Sequence, residues 1–215
     1  MNMINLDALA AIARQAGAEI LKVYHGPQFA VTVKDDRSPL TEADRAAHRL
    51  IDAGLRALTP DIPVLSEEGR DIAYAERSGW ARFWLVDPLD GTREFINRNG
   101  EFTVNIALIE GQSAVLGVIY VPAQDLLYAG VVGDQAWRED ADGRRVALAT
   151  RQPEAGEGHV VVASRSHRSP ELEAYLETVA MAESVAVGSS LKFCAVAEGR
   201  ATLYPRLGPT MEWDT

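Results

Sequence analysis

Asp87-Pro88-Leu89-Asp90-Gly91-Thr92 follows directly on Phe83-Trp84-Leu85-Val86, an apolar run suited to a central strand. Two aspartates three residues apart therefore stand where a strand ends. Pro88 stiffens the turn between them, and Gly91 and Thr92 offer backbone N–H groups where a helix can start. Two carboxylates beside a hydrophobic strand repel each other unless a cation joins them. Oxygen-only ligands of this kind suit Mg²⁺, which takes a few carboxylates and leaves positions for water and phosphate. Exposed N–H groups at a helix start suit the phosphate itself. The simpler reading, a hairpin turn at Asp90-Gly91, leaves the paired charges unexplained.

Upstream, Leu6, Leu9, Ile12, Ala13, Ala16, Ile20 and Val23 recur at helical spacing and predict an amphipathic helix closed near His25-Gly26-Pro27. Phe29 to Val33 alternates like a strand, and a polar turn follows from Lys34 to Ser38. A second helix begins at Thr41, buries Ala43, Ala47, Leu50, Ile51, Leu55 and Leu58, and stops at Thr59-Pro60-Asp61. Ile62 to Leu65 is a short strand running into Ser66-Glu67-Glu68-Gly69. Downstream, Thr103 to Leu108, Ala114 to Tyr120 and Leu126 to Val132 are strands punctuated by Gly111, Pro122 and Gly133-Asp134, the pattern of an antiparallel meander. Residues 139–158 are rich in Gly, Asp, Glu and Arg, so a boundary near 158 divides an N-terminal α+β unit, 1–158, from a C-terminal unit, 159–215. The second unit is predicted as a strand (His159 to Ala163), a helix (Pro170 to Ala180), a short strand (Val185 to Val187), a helix (Ser189 to Glu198, ended by Gly199) and a last strand (Ala201 to Tyr204). Helices and strands come in mixed order, which favours α+β or a layered α/β arrangement over a doubly wound fold.

The 215 residues carry 21 basic and 31 acidic side chains, for a net charge of −10. Nucleic acid is not an expected partner, because non-specific affinity comes from neutralising phosphates with Lys and Arg. A negative protein still binds phosphate esters when cations stand between its carboxylates and the ligand. The single cysteine, Cys194, allows no internal disulfide and suggests a reducing cytoplasm. No signal peptide is visible, and the longest apolar stretch, around Ala114 to Ala123, is too short to span a bilayer. The expected location is the cytoplasm, with contact at the inner membrane surface at most peripheral.

Other chemistries fall away. His25, His48, His159 and His167 form no metal-ligand pair, which removes zinc. Neither a P-loop nor a Gly-x-Gly-x-x-Gly is present. Leu-Asp-Gly-Thr also occurs in phosphatases of the haloacid dehalogenase type, but their nucleophilic aspartate falls here on Pro88. Two acidic sites have structural readings of their own. Glu67-Glu68 can be a solvated acidic turn, and Thr41 with Asp44 can be a capping box, with Asp44 favourable in a first helical turn.

It is the combination that resembles a family. Ser38-Pro39-Leu40-Thr41-Glu42-Ala43-Asp44, Glu67-Glu68-Gly69, the aspartate hexapeptide and Trp213-Asp214 occur in the order and at the separations of the inositol monophosphatase superfamily of Mg²⁺-dependent, lithium-sensitive phosphatases. Glu94 to Leu108, Gly188-Ser189-Ser190-Leu191-Lys192-Phe193-Cys194 and Leu203-Tyr204-Pro205-Arg206 are similar to its 3′(2′),5′-bisphosphate nucleotidase branch. The resemblance implies a layered α-β-α-β-α sugar-phosphatase-like sandwich and two or three Mg²⁺ ions. Glu67, Asp87 and the Leu89 carbonyl would hold the first ion, and Asp87, Asp90 and Asp214 the second. Asp44 and Thr92 would orient and deprotonate the attacking water, with a third ion beside Glu67. Gly91 and Thr92 would hold the scissile phosphate against these ligands, so that Glu67, Leu89, Asp90 and Asp214 also border the substrate. His167, Ser189, Lys192 and Arg206 would hold the nucleotide, although Ser189 also reads as a helix cap and Lys192 as a solvated helix charge. The implied reaction removes the 3′-phosphate of adenosine 3′,5′-bisphosphate, and of 3′-phosphoadenylyl sulfate, in support of sulfur assimilation. The same chemistry on inositol or sugar phosphates, or a non-catalytic regulatory role on the same fold, are the alternatives. In the family the chain continues past the final aspartate as Ala-Ala-Gly into a helix and further strands, so the resemblance implies an incomplete C-terminal unit here.

Overall fold

The structure, a computed structural model, describes residues 4–27, 31–33, 39–163 and 169–214. The expected polar turn over 34–38 and the candidate His167 lie outside the described residues. Two long helices, α1 (Leu6–Tyr24) and α2 (Glu42–Leu58), pack against each other and against one face of a sheet. A small antiparallel pair, β1 (Val31–Val33) and β2 (Pro39–Thr41), joins them. The sheet has seven strands in the order β3 (Val64–Ser66), β4 (Arg82–Asp90), β5 (Thr103–Glu110), β6 (Ser113–Val121), β7 (Leu126–Val131), β8 (Ala136–Glu139) and β9 (Arg145–Ala147). Only the β3–β4 pairing is parallel; every other pair is antiparallel. Short helices α3 (Tyr74–Arg77) and α4 (Thr92–Ile96) lie on either side of β4 in the chain.

The core follows from strand alternation. Trp84 and Val86 on β4, Val104, Ile106 and Leu108 on β5, Val118 and Tyr120 on β6, and Leu127 and Ala129 on β7 point to the helical side and are buried with Leu9, Ile20, Ile51 and Leu55. The Trp84 indole, fully buried, donates to Thr59 Oγ1 at 2.8 Å, so the residue that ends α2 also satisfies the polar atom of the largest core side chain.

After β9 the chain leaves this sheet. β10 (His159–Ala163) and β11 (Met181–Ala186) form a separate parallel pair joined by α5 (Pro170–Glu177), and α6 (Leu191–Ala197) follows. Leu191 and Cys194 of α6 pack on Val121 and Tyr128, on the sheet face away from α1 and α2. Tyr128 and Arg138 both donate to Glu198, at 2.7 and 3.0 Å, tying the end of α6 to β7 and β8. An apolar cavity of about 550 Å³ lies on this face and reaches Asp87, Trp213 and Asp214.

Several expectations need correction, among them the short strand expected over 185–187, which runs over Met181–Ala186, and the helix before it, which ends at Glu177. Residues 139–158 include the end of β8 and all of β9, so the meander has two more strands than predicted. The strand expected over 201–204 reduces to one parallel bridge, Val161 to Leu203. The final helix begins at Leu191 rather than Ser189, because Ser189 takes a positive φ of 56° that no helical residue adopts. Among the described residues, no helix is long and apolar enough to cross a membrane.

Candidate active site

Asp87 and Asp90 are an odd number of residues apart, so a regular strand would send them to opposite faces. The pairing with β5 shows how they meet. Asp87 stands opposite Asn105 and Asp90 opposite Thr103, so three steps on β4 face two on β5. This one-residue bulge turns the strand and re-aims Asp90. Pro88 is tolerated here because a bulged residue has no ladder bond to donate to. Leu89 buries its side chain in the core, while its carbonyl accepts from Thr92 Oγ1 at 3.4 Å.

A short 3₁₀ turn over Glu212–Asp214 packs against β4 and brings Asp214 to the same place. Carboxylate oxygens of Asp87, Asp90 and Asp214 lie within 4.8 Å of one another. Glu67, at the end of β3, hydrogen-bonds the Asp87 carboxyl and adds its charge. Burial, and then the charges of Asp90, Glu67 and Asp214, hold the Asp87 carboxyl well above the usual carboxylate range. A buried carboxyl among three others, with oxygen donors only, is chemically matched to a hard divalent cation.

Asp44 forms the capping box that the sequence offers and also faces the aspartate hexapeptide. Its Oδ2 accepts from the Thr41 backbone N–H at 2.8 Å and from Thr41 Oγ1 at 2.6 Å, while Thr41 Oγ1 accepts from Ala43 N–H at 3.1 Å. Its other oxygen, Oδ1, faces Thr92 Oγ1 at 3.3 Å. Asp44 is 2 % exposed, so the first turn of α2 aims a fixed carboxylate at the aspartate hexapeptide.

Gly91 caps α4 at φ 89°. A Cβ there would lie 2.9 Å from the Glu101 carbonyl oxygen and 3.2 Å from Ser189 Cβ. Gly91→Ala therefore meets both backbone strain and a backbone clash. It should lower the thermal midpoint by the equivalent of about 1–3 kcal/mol and depress activity by displacing Asp90 and Thr92. An unchanged midpoint in a melting experiment would show that this turn relaxes freely.

The loop before α6 arrives at the same site. Ser189 Oγ and the Ser190 N–H both donate to Asp90 Oδ2, at 2.7 and 2.5 Å. Gly188 N–H donates to Glu101 Oε2 at 2.8 Å. Lys192 is no solvated helix charge. It is 8 % exposed, donates to the Ser189 carbonyl at 2.5 Å and lies over the Tyr204 ring. Burial pulls its pKa down, opposed by Asp90 and Glu94. Arg206 is close enough to Lys192 to depress it further and is itself half-buried, donating to Thr210 Oγ1 and the Pro209 carbonyl. Sequence reasoning missed Thr103, Ser190 and Asn105, which join this cluster. Thr103 and Asn105 are placed by the β4–β5 register, which exists once the strands are paired, and Ser190 by the loop that leads into α6.

The inositol monophosphatase family profile matches residues 4–215. Over 212 residues the chain is 50% identical to the 3′(2′),5′-bisphosphate nucleotidase CysQ of Escherichia coli strain K12, covering 98% of this chain and 83% of that protein. It is 45% identical over 211 residues to the protein of the same name from Buchnera aphidicola, covering 98% and 78%. Among solved structures, CysQ from Bacteroides thetaiotaomicron superposes with a TM-score of 0.80 at 44% identity, covering 97% of this chain and 82% of that one. An IMPase from Thermotoga maritima superposes at 0.74 with 25% identity, covering 93% and 74%. With the acidic residues of four separate segments gathered at one strand end, and these likenesses running almost the full length of the chain, the protein belongs to the inositol monophosphatase family.

Proposed function

We propose that the chain is a Mg²⁺-dependent 3′(2′),5′-bisphosphate nucleotidase that hydrolyses the 3′-phosphate of adenosine 3′,5′-bisphosphate to AMP and phosphate. 3′-Phosphoadenylyl sulfate, which bears the same 3′-phosphate, is its second proposed substrate. The observation that favours a bisphosphate is a pair of cations beside the acidic cluster: Lys192 lies within electrostatic reach of Asp90 and Asp214, and Arg206 within reach of Lys192. A substrate with one phosphate on the acidic cluster and a second anionic group beside it uses both; an inositol monophosphate has nothing to give the second.

Glu67, Asp87 and the Leu89 carbonyl are the proposed holders of one cation, and Asp87, Asp90 and Asp214 of a second, with a third beside Glu67. Bound there, divalent cations neutralise the phosphate oxygens and make water more acidic. The residues themselves position and move protons. Thr92 Oγ1, hydrogen-bonded to Asp44, orients the attacking water, and Asp44 Oδ1 accepts its proton. The backbone N–H groups of Gly91 and Thr92 hold the scissile phosphate. Water adds to phosphorus, the P–O3′ bond breaks, and the departing 3′-oxygen takes a proton from solvent water while Asp44 returns the one it accepted to solvent. No covalent nucleophile is needed, because phosphoryl transfer depends mainly on positioning and charge.

Phosphate release from adenosine 3′,5′-bisphosphate and from inositol 1-phosphate, with and without Mg²⁺, tests the reading. The nucleotide should be strongly preferred, and only with the metal. Lys192→Met and Arg206→Met should each raise KM for the bisphosphate about tenfold or more, with little change for a small phosphate monoester. Equal effects on both substrates would remove these residues from the nucleotide subsite.

A further inference from the structure

Four side chains stand in line behind Asp90. Thr103 Oγ1, fully buried, lies 2.7 Å from Ser189 Oγ and 2.8 Å from Ser190 Oγ. Ser190 Oγ lies 2.9 Å from the Asn105 side-chain amide, and Ser189 Oγ donates to Asp90 Oδ2 at 2.7 Å. Three hydroxyl groups hold three protons for these four contacts. With the Asn105 oxygen towards Ser190, one contact lacks a proton. With the amide turned so that its NH₂ faces Ser190, every contact is served: Asn105 donates to Ser190, Ser190 to Thr103, Thr103 to Ser189, and Ser189 to Asp90. A one-way chain polarises each successive hydroxyl and ends on a carboxylate, where a hydrogen bond is strongest.

We propose that Thr103, Ser190 and Asn105 are positioning residues that hold Ser189 and the Ser190 N–H onto Asp90 Oδ2, fixing the rotation of the Asp90 carboxylate and thereby setting how tightly the acidic cluster binds a divalent cation. The proposal rests on the reading of Asp87, Asp90 and Asp214 as a cation site. The geometry of the loop supports it. Ser189 holds its φ of 56° although it is not glycine, a conformation that needs restraint from its surroundings, and the buried Thr103 hydroxyl supplies that restraint. Register places Thr103 opposite Asp90 on the neighbouring strand, so carboxylate and anchor are mounted on one rigid ladder. Two donors on Oδ2 leave Oδ1 as the oxygen to be presented to a cation. Without the chain the carboxylate is freer to rotate, and binding has to fix it.

The test is Mn²⁺ binding to the full chain, read from the free-ion signal in electron paramagnetic resonance, beside the thermal midpoint in chelator. Thr103→Val keeps the shape and strand preference of the side chain and removes only the hydroxyl. It should weaken Mn²⁺ binding roughly tenfold, while Thr103→Ser binds like the parent. Ser190→Ala should weaken binding as well, and it carries the test should Thr103→Val not fold. A role in folding alone would lower the midpoint and leave the dissociation constant where it was, and that result overturns the proposal. A parent chain that binds no Mn²⁺ overturns the cation site itself and the proposal with it, whereas a parent that binds and a folded variant that binds equally well removes only the positioning role.

Discussion

Asp87→Asn should abolish phosphate release and yet leave a metal-free protein that melts higher than its parent. Asp87 is 2 % exposed, and burial together with Asp90, Glu67 and Asp214 pushes its pKa well above the ordinary 3.8. Ionised and without a cation, it is a buried charge among like charges, which destabilises the fold. Asparagine keeps the oxygen that accepts from Leu89 N–H, at 3.1 Å, and its amide donates to Glu67 without a shared proton. Repulsion is relieved while the contacts survive. The sign of the pH dependence follows. Between the ordinary value and the raised one, the unfolded chain has released the Asp87 proton and the folded chain has not, so stability falls as pH rises through that interval. Calorimetry in chelator should show this slope in the parent and a shallower one in the variant. Activity goes the other way. Removing the carboxylate shared by the two proposed cation positions should cost about three orders of magnitude or more, a scale set by loss of a single charge-stabilising group. A variant that keeps most of its rate at limiting Mg²⁺, or that melts below the parent in chelator, would take Asp87 out of the cluster.

What the sequence discloses and what it hides divide along physical lines. The two long helices and the central strands are legible because burial imposes a period: Leu9, Ile12, Ala13, Ala16 and Ile20 at helical spacing, and Val104, Ile106 and Leu108 at every second place. β8 and β9 are not. β9 is exposed at all three positions, so no alternation marks it. Its Arg145 is held instead by Glu139, at 2.6 Å, and by the face of Trp137, at 4.0 Å. The strand expected at 201–204 was an apolar stretch that shares only one bridge with β10. At the site, the hexapeptide is visible as chemistry, but the bulge that lets Asp87 and Asp90 meet depends on β5 and cannot be seen from β4 alone. The Thr103 anchor and the left-handed Ser189 are hidden for the same reason, since both arise from pairing across more than eighty residues of chain.

Asp44→Asn should lose catalysis and keep the fold, and the hydrogen bonds say which atom is responsible. One oxygen of Asp44 accepts two donors from Thr41, and that demand forces the orientation of a replacement amide. The asparagine oxygen must take the Oδ2 position, because an NH₂ group there would oppose the Thr41 N–H. The NH₂ group then occupies the Oδ1 position, facing Thr92 Oγ1, where the parent presents an acceptor. The hydrogen bonds of the capping box are preserved and only the favourable charge in the first turn of α2 is lost, so stability should fall by no more than about 1 kcal/mol. The proton acceptor, by contrast, is replaced by a donor. kcat should fall by about 10²–10⁴-fold, the usual contribution of a positioned general base, with a smaller change in KM. Asp44→Ala provides the comparison: it loses the same acceptor and also leaves the Thr41 N–H unpaired in a buried turn, so it should lose stability as well as rate. Melting curves and steady-state rates on the two variants separate the roles of the two oxygens. An Asp44→Asn protein with parental kcat would confine Asp44 to capping, and the water's proton would then need another acceptor among the carboxylates of the cluster.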